Sequence, residues 1–140
     1  LTSAPAIGKM AAELVREELG LQEKADFCST RKGILNPADL TMEERGELIR
    51  RQPAYGNIIC RCEMISEGEI LDAIHRPLGA TTMDGVKRRT RAGMGRCQSG
   101  FCSPKTMEIL ERELKIRQEK ITKNGAGSEM ILGRNQDGEI

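Results

Sequence analysis

The sequence predicts a mainly α fold with short irregular or β segments. Two segments, 41–44 and 66–69, read Ser/Thr-x-x-Glu. This is the pattern of a capping box, in which a hydroxyl and a carboxylate satisfy free N–H groups at a helix start. Ser103 followed by Pro104 is a third start signal, because proline suits the first helical turn. Helices are therefore expected after each of these positions.

An amphipathic helix is also predicted at the beginning of the sequence. Ser3 is a candidate N-cap with Pro5 in the first turn, and Gly20 is a natural stop. Apolar residues recur between them at helical spacing, at Ile7, Met10, Ala11, Leu14 and Val15. Because this helix opens the sequence without a partner surface, we expect it to come from a longer polypeptide. The alternative is a processed small protein whose first helix packs on its own core.

Composition limits the size of the core. The 140 residues are 31% charged and 38% hydrophobic, with three aromatic residues and no Trp. Apolar burial alone would give thin stability, so an additional staple is expected. A net charge of +1 argues against a dedicated nucleic-acid or membrane-surface protein, and no apolar run is long enough to span a bilayer. We expect a soluble, cytoplasmic protein.

Further along the chain the pattern alternates between helix and loop. The helix after Thr41 should end at Pro53 and Gly56, and the helix after Ser66 should end at Pro77. The run "NIIC" between them is too short to assign to strand or turn. Residues 105–120 are predicted to be helical, with a core stripe at Met107, Ile109, Leu110, Leu114, Ile116 and Ile121. Residues 123–140 form a Gly-rich tail that either adds a short strand at "EMIL" or is mobile.

Four of the five cysteines form two close pairs. Cys60 and Cys62 are separated by one residue, and Cys97 and Cys102 by four. Each pair adjoins a predicted helix start, where free N–H groups and the positive end of the helix dipole lower the pKa of thiols and stabilise metal thiolates. An iron–sulfur cluster, a zinc ion or disulfides could use these thiols.

The spacing favours an iron–sulfur cluster over the other two. Paired zinc ligands usually lie about two to four residues apart, so the first pair is short for zinc. Cysteines separated by one residue rarely bond to each other, although either could pair with Cys97 or Cys102 in an oxidising compartment. A structural zinc module used for docking or interaction, and a regulatory or interaction module without metal, stay as alternatives.

A basic segment lies between the cysteine pairs. It carries Lys87, Arg88, Arg89, Arg91 and Arg96 and no acidic residue. Four thiolates, two sulfides and two ferric ions carry a net charge of about −2, so nearby cations would tune the reduction potential of such a cluster. The same run is also typical of a solvated helix face or of a phosphate or RNA patch.

Glycines make a tight loop around Cys97 credible. Gly93, Gly95 and Gly100 flank this cysteine and would let the backbone approach inorganic sulfide and donate N–H groups to it. A dinucleotide-binding loop is a weak interpretation of "GMGRCQ", because the third glycine and a preceding strand are missing.

The segments "NIICRCEMISEGEI" and "DGVKRRTRAGMGRCQSGFC", with the helix that follows, resemble the bacterioferritin-associated-ferredoxin-like [2Fe-2S] domain. The resemblance covers about residues 57–120, in the version found at the C-terminus of FAD-dependent glycerol-3-phosphate dehydrogenase-like oxidoreductases. It implies that Cys60, Cys62, Cys97 and Cys102 ligate a cluster in a small helical fold. Ser99 departs from the family, which often has glycine there; the serine is strained if that position requires a positive φ.

The resemblance also implies a domain organisation and a role. Residues 1–56 would be the end and linker of an FAD-dependent domain, 57–122 the [2Fe-2S] domain, and 123–140 the tail. "LTSAPAI" looks like the segment that ends the flavin-binding domain in those enzymes. The expected role is electron relay between FAD in the same polypeptide and an acceptor protein or small carrier. Isolated cysteine sites can also take up zinc.

The other candidate residues have ordinary structural explanations. Cys28 is expected to be a small semi-buried residue or a free thiol. His75, the only histidine, should lie at the end of a helix, where a cation suits the dipole. No catalytic acid–base set is identifiable, so the chain is not expected to turn over substrate alone.

Overall fold

The computed structural model describes residues 1–133 and divides the chain into two compact units, Leu1–Lys32 and the part from Gly33 on. Its helices and strands are α1 (Ala4–Leu19), α2 (Met42–Arg51), β1 (Ile58–Cys60), β2 (Ile65–Ser66), α3 (Glu67–His75), α4 (Met83–Thr90) and α5 (Ser103–Leu114). Three 3₁₀ turns lie at Pro37–Asp39, Pro53–Gly56 and Gln118–Lys120. The predicted mainly α class is confirmed.

The first unit consists of α1 and the loop that follows it. Gly20 adopts a left-handed conformation with φ of 61° and ends the helix, as predicted. Ser3 stands at the N-cap, but its side chain makes no capping hydrogen bond. The apolar side chains of α1 are each at least half exposed, namely Ile7, Met10, Leu14, Val15 and Leu19. The predicted amphipathic helix is present, and none of its residues is buried.

The second unit is built around α3. Both predicted capping boxes are present. The hydroxyl oxygens of Thr41 and Ser66 each accept from the backbone N–H of the glutamate three residues later, and the carboxylate of that glutamate accepts from the backbone N–H of the threonine or serine. Helix α3 packs against α4, α5 and the turn Pro53–Gly56. Tyr55 in this turn lies directly against Gly68, where a β-carbon would overlap the tyrosine ring. The predicted boundary between residues 56 and 57 therefore falls inside this unit, and the assignment of residues 1–56 to a flavin domain stays a prediction.

The last helix is shorter than predicted. Cys102, and not Ser103, is the N-cap of α5, and Lys115 ends the helix in a left-handed conformation with φ of 55°. Met107, Ile109 and Leu110 are buried, as predicted. Ile121 is fully buried as well, but it reaches the core from beyond the helix end.

Part of the predicted tail folds back onto the unit. Thr122 and Glu129 form an antiparallel bridge, and the N–H of Met130 donates to the carbonyl of Ile121 over 3.0 Å. The first N–H groups of α4, at Met83 and Asp84, donate to carbonyls of this hairpin. Residues 134–140 of the predicted tail lie outside the described part of the chain. Within residues 1–133, no helix is both long and apolar enough to cross a membrane.

Candidate metal centre

The first cysteine pair lies in the hairpin formed by β1 and β2. These strands pair antiparallel with a register shift, which places Cys60 opposite Ile65. Cys60 is the last residue of β1 and is only 1% exposed, whereas Cys62 in the turn is exposed. The turn closes at Met64, which has a positive φ of 55°. A short hairpin thus directs one thiol inward and leaves the next accessible.

The second pair lies in the loop between α4 and α5. Arg91 ends α4 in a left-handed conformation, and the loop then carries Cys97, which is half-buried, to Cys102, which is 3% exposed. Gln98 and Ser99 both have positive φ, 46° and 73°. The sequence expectation that this position strains a serine is borne out by that angle.

The four cysteines line one cavity of about 780 Å³. Within it the cysteines form two pairs, since the thiol of Cys62 is close enough to shift the pKa of Cys97, and the thiol of Cys60 is close enough to shift that of Cys102. Each pair takes one thiol from each loop. Within residues 1–133, no three Cys, His, Asp or Glu side chains have the arrangement of a site for a single metal ion. Cys60 and Cys102 are buried, so one pair lies inside and the other at the surface.

Glycines of the second loop make the close approach of the two loops possible. A β-carbon on Gly95 would overlap the Cβ of Cys62. The N–H of Gly93 donates to the Sγ of Cys60 over 3.5 Å. Gly93 has φ of 87°, and its carbonyl accepts from the Ser99 hydroxyl at 3.3 Å. The predicted need for glycine at 93 and 95 follows from these contacts.

The thiol pKa values differ between the inner and outer cysteines. The Cys62 thiol and the backbone N–H groups of Phe101, Ser99 and Gly100 hold the pKa of Cys97 below its usual value. Burial, with the neighbouring thiol of Cys60, raises the pKa of Cys102 to about 11. The position of Cys102 at a helix N-terminus therefore does not lower its pKa enough to offset the effect of burial.

The cations at the cavity are not those that the sequence analysis selected. Arg61, Lys105 and Arg112 line it, whereas none of the five predicted basic residues does. Arg91 pairs with Glu63 at 2.8 Å, and Arg89 donates to backbone carbonyls. The α5 cations were missed, although Phe101, Lys105, Glu108 and Arg112 recur at helical spacing and share the face that lines the cavity.

A chain of hydrogen bonds leads from this cavity to His75. Asn57 donates to Glu67 at 2.8 Å, Arg112 donates to Glu67 at 2.7 Å and to Glu113 at 2.6 Å, and His75 meets Glu113 at 2.7 Å. Asn57 and Arg112 hold the pKa of Glu67 below its usual range, and Arg112 does the same for Glu113. His75 lies at the end of α3 as predicted, with this carboxylate as its partner.

Cys28 belongs to the first unit and is exposed. Its thiol donates to the carbonyl of Thr30 at 3.1 Å. The expectation of a semi-buried residue is wrong, and the alternative of a free thiol is confirmed. The segment 21–34 around it has few apolar residues, so it has little to bury.

Comparison with known proteins agrees with this geometry. Residues 58–112 match the sequence profile of the BFD-like [2Fe-2S] binding domain. The chain is 46% identical to a glycerol 3-phosphate dehydrogenase of Caloramator mitchellensis over 134 residues, which are 95% of the chain and 28% of that protein. It is 33% identical to one subunit of the anaerobic glycerol-3-phosphate dehydrogenase of Escherichia coli K12 over 104 residues, 66% of the chain and 18% of that protein.

A third relative is of another kind. The chain is 34% identical to the nitrite reductase [NAD(P)H] of Bacillus subtilis 168 over 95 residues, 67% of the chain and 11% of that protein. The chain thus spans less than a third of the length of each of these relatives. No solved structure matches it. Residues 58–112, which hold all four clustered cysteines, are a BFD-like [2Fe-2S] binding domain.

Proposed function

We propose that Cys60, Cys62, Cys97 and Cys102 ligate a [2Fe-2S] cluster through which the chain relays single electrons. The observation that carries this proposal is the convergence of four thiols from two loops on one cavity, in two close pairs. Four cysteine thiolates are the usual ligands of this cluster. The donor set therefore fits the group that the family profile names.

Backbone N–H groups around the cysteines stabilise the negative charge of the thiolates. The N–H of Gly93 faces Cys60, and N–H groups of the loop face Cys97, so backbone dipoles stabilise thiolate on both pairs. Gly95 lets the two loops close on each other. When bound, the cluster supplies one-electron storage and release at a potential that hydrogen bonds to sulfur and solvent exposure adjust.

The chain acts as the C-terminal portion of a larger FAD-dependent oxidoreductase similar to glycerol-3-phosphate dehydrogenase. Two relatives with that name align with this chain over only part of their own length, which leaves room in each for the catalytic domain. In this proposal, residues 1–56 end and link the flavin domain, and the flavin takes hydride from a hydroxy or polyol-phosphate substrate. No catalytic residue of that reaction is assigned to the chain.

The second redox partner, beside the FAD of the same polypeptide, is an electron acceptor, either a protein or a small carrier.

The cytoplasm is the proposed compartment, because all five cysteines are free of disulfides and a reducing compartment keeps thiols in that state. The family profile over the cysteine region is that of a [2Fe-2S] domain, which favours the cluster over the zinc alternative.

An anaerobic redox titration tests the relay. The chain is purified without oxygen, its iron, sulfide and zinc are measured, and visible absorption is followed while the potential is lowered. A reversible change that fits one electron per chain, with an EPR signal after dithionite reduction, is the expected result. Zinc without iron, even after anaerobic reconstitution with iron and sulfide, would contradict the proposal.

A further inference from the structure

The two thiol pairs differ sharply in their access to solvent. Cys60 and Cys102 are 1% and 3% exposed, whereas Cys62 is exposed and Cys97 is half-buried. A group held by these four thiols therefore has one protein-covered side and one side near the surface. Electron exchange with a partner requires close approach, so the side of Cys62 and Cys97 is the accessible one.

Two arginines adjoin the accessible cysteines directly. Arg61 precedes Cys62, and Arg96 precedes Cys97. Both are exposed, and neither makes a hydrogen bond or ion pair with any of the residues from 1 to 133. The neighbouring cations differ in this respect, since Arg91 pairs with Glu63 and Lys105 with Glu108 at 2.9 Å.

An exposed aromatic side chain completes this edge. Phe101 lines the cysteine cavity and is 87% exposed. Phe101 shares the cavity lining with Arg61, and Arg96 directly precedes Cys97. Exposed aromatic and arginine side chains of this kind are typical of docking surfaces. Unpaired arginines leave positive charge that a partner can neutralise.

Building on the proposed function, we infer that the edge formed by Arg61, Arg96 and Phe101 beside Cys62 and Cys97 docks the acidic face of a redox protein. One electron crosses this edge between the two redox centres, and no bond or proton is exchanged. Arg61 and Arg96 steer the encounter, since opposite charges on two proteins raise the association rate by about 10- to 1,000-fold. They act as positioning residues for the partner.

Two electron acceptors of opposite charge test this inference. The dithionite-reduced holoprotein is mixed in a stopped-flow instrument with plastocyanin, which is acidic, or with cytochrome c, which is basic. Arg61→Glu/Arg96→Glu is expected to slow the reaction with plastocyanin about tenfold or more and to speed the reaction with cytochrome c. Both effects should shrink with added salt. Arg50→Glu/Arg51→Glu, which changes the net charge equally on α2 outside the cavity, is the matched control and should leave both rates nearly unchanged.

The reduction potential of each variant is measured as well. Acidic substitutions near the cluster lower its potential and increase the driving force to both acceptors, so slower reaction with plastocyanin cannot arise from the potential. Arg61→Gln/Arg96→Gln gives a milder variant, with cluster content checked by absorption. Unchanged rates in variants with full cluster content, or equal effects in the α2 control, would overturn this inference and leave the proposed function intact. A wild-type chain that never holds a cluster would instead contradict the proposed function.

Discussion

Gly95 lies directly against Cys62, so that a β-carbon on this glycine would overlap the cysteine Cβ. The two cysteine loops are far apart in sequence and meet here without a side chain between them. This contact explains how a C-x-C hairpin and a C-x4-C loop can present four thiols to one cavity.

Gly95→Ala should therefore prevent the two loops from closing. Because backbone and Cβ atoms of Cys62 cannot move aside cheaply, the variant is expected to lose most of its bound iron. Iron and sulfide per chain after anaerobic reconstitution give the measurement. Gly46→Ala is the control, since a β-carbon there meets open space. Equal iron content in the two variants would show that the loop contact is unimportant.

Ser99 is held in a left-handed conformation, with φ of 73°. Comparing Ser99→Ala with Ser99→Gly isolates the strain, because both lose the hydrogen bond to the Gly93 carbonyl. The glycine variant should be more stable by about 1 kcal/mol, since only alanine keeps the penalty of a positive φ. Urea unfolding of the holoproteins measures this difference. A glycine variant no more stable than the alanine variant would mean that the loop imposes no strain here.

The hairpin after α5 contributes to the core of the second unit, although the family profile ends at residue 112. Ile121 is fully buried, so Ile121→Ala should lower the free energy of unfolding by about 2 to 5 kcal/mol. Leu132→Ala serves as the control because Leu132 is 82% exposed. Urea midpoints of the two variants provide the comparison; a midpoint for Ile121→Ala close to that of wild type would place the hairpin outside the cooperative fold.

Arg112 joins Glu67 and Glu113, and it helps to hold the pKa of both carboxyl groups below the usual value. A lowered folded-state pKa adds stability above the unfolded-state pKa of about 4.3. That stability is lost as the pH falls through the lowered values. Arg112→Ala should be less stable than wild type at pH 7 by about 1 kcal/mol or less, since the arginine is largely exposed.

The difference between wild type and Arg112→Ala should shrink as both carboxyl groups become protonated. Urea unfolding followed by circular dichroism between pH 7 and pH 3 checks the sign. A difference that grows with acidification would contradict the assigned pairing. Lys115→Ala is a suitable control, because Lys115 is exposed and makes none of these ion pairs among residues 1–133.

Local signals in the sequence predicted much of this fold. The capping boxes at Thr41 and Ser66 and the stop at Gly20 were identifiable because each depends on residues within one turn. The end of α5 was not identifiable from the sequence, because Lys115 is a good helix former. It turns left-handed here, where the chain leaves the helix to bring Ile121 into the core. Tertiary packing decides such an end.

The clustering of the four cysteines was predictable from the sequence, whereas the residues that surround them were not. The spacing of the four cysteines indicated which residues would cluster. The basic run 87–91 was expected to lie near the cluster. It instead ends α4, and its arginines bond to carboxylates and backbone carbonyls outside the cavity. Of the cations that line the cavity, Arg61 lies between two cysteines in the sequence, whereas Lys105 and Arg112 of α5 join it only in the folded chain.

The most direct test of the account is the iron and sulfide content of two single cysteine variants after anaerobic reconstitution. Cys28→Ser removes the exposed thiol of the first unit, and Cys97→Ser removes one of the four that line the cavity. We expect about two irons and two sulfides per chain in Cys28→Ser, and loss of the cluster in Cys97→Ser. Full cluster content in Cys97→Ser, or its loss in Cys28→Ser, would contradict the assignment of Cys60, Cys62, Cys97 and Cys102 as the ligands.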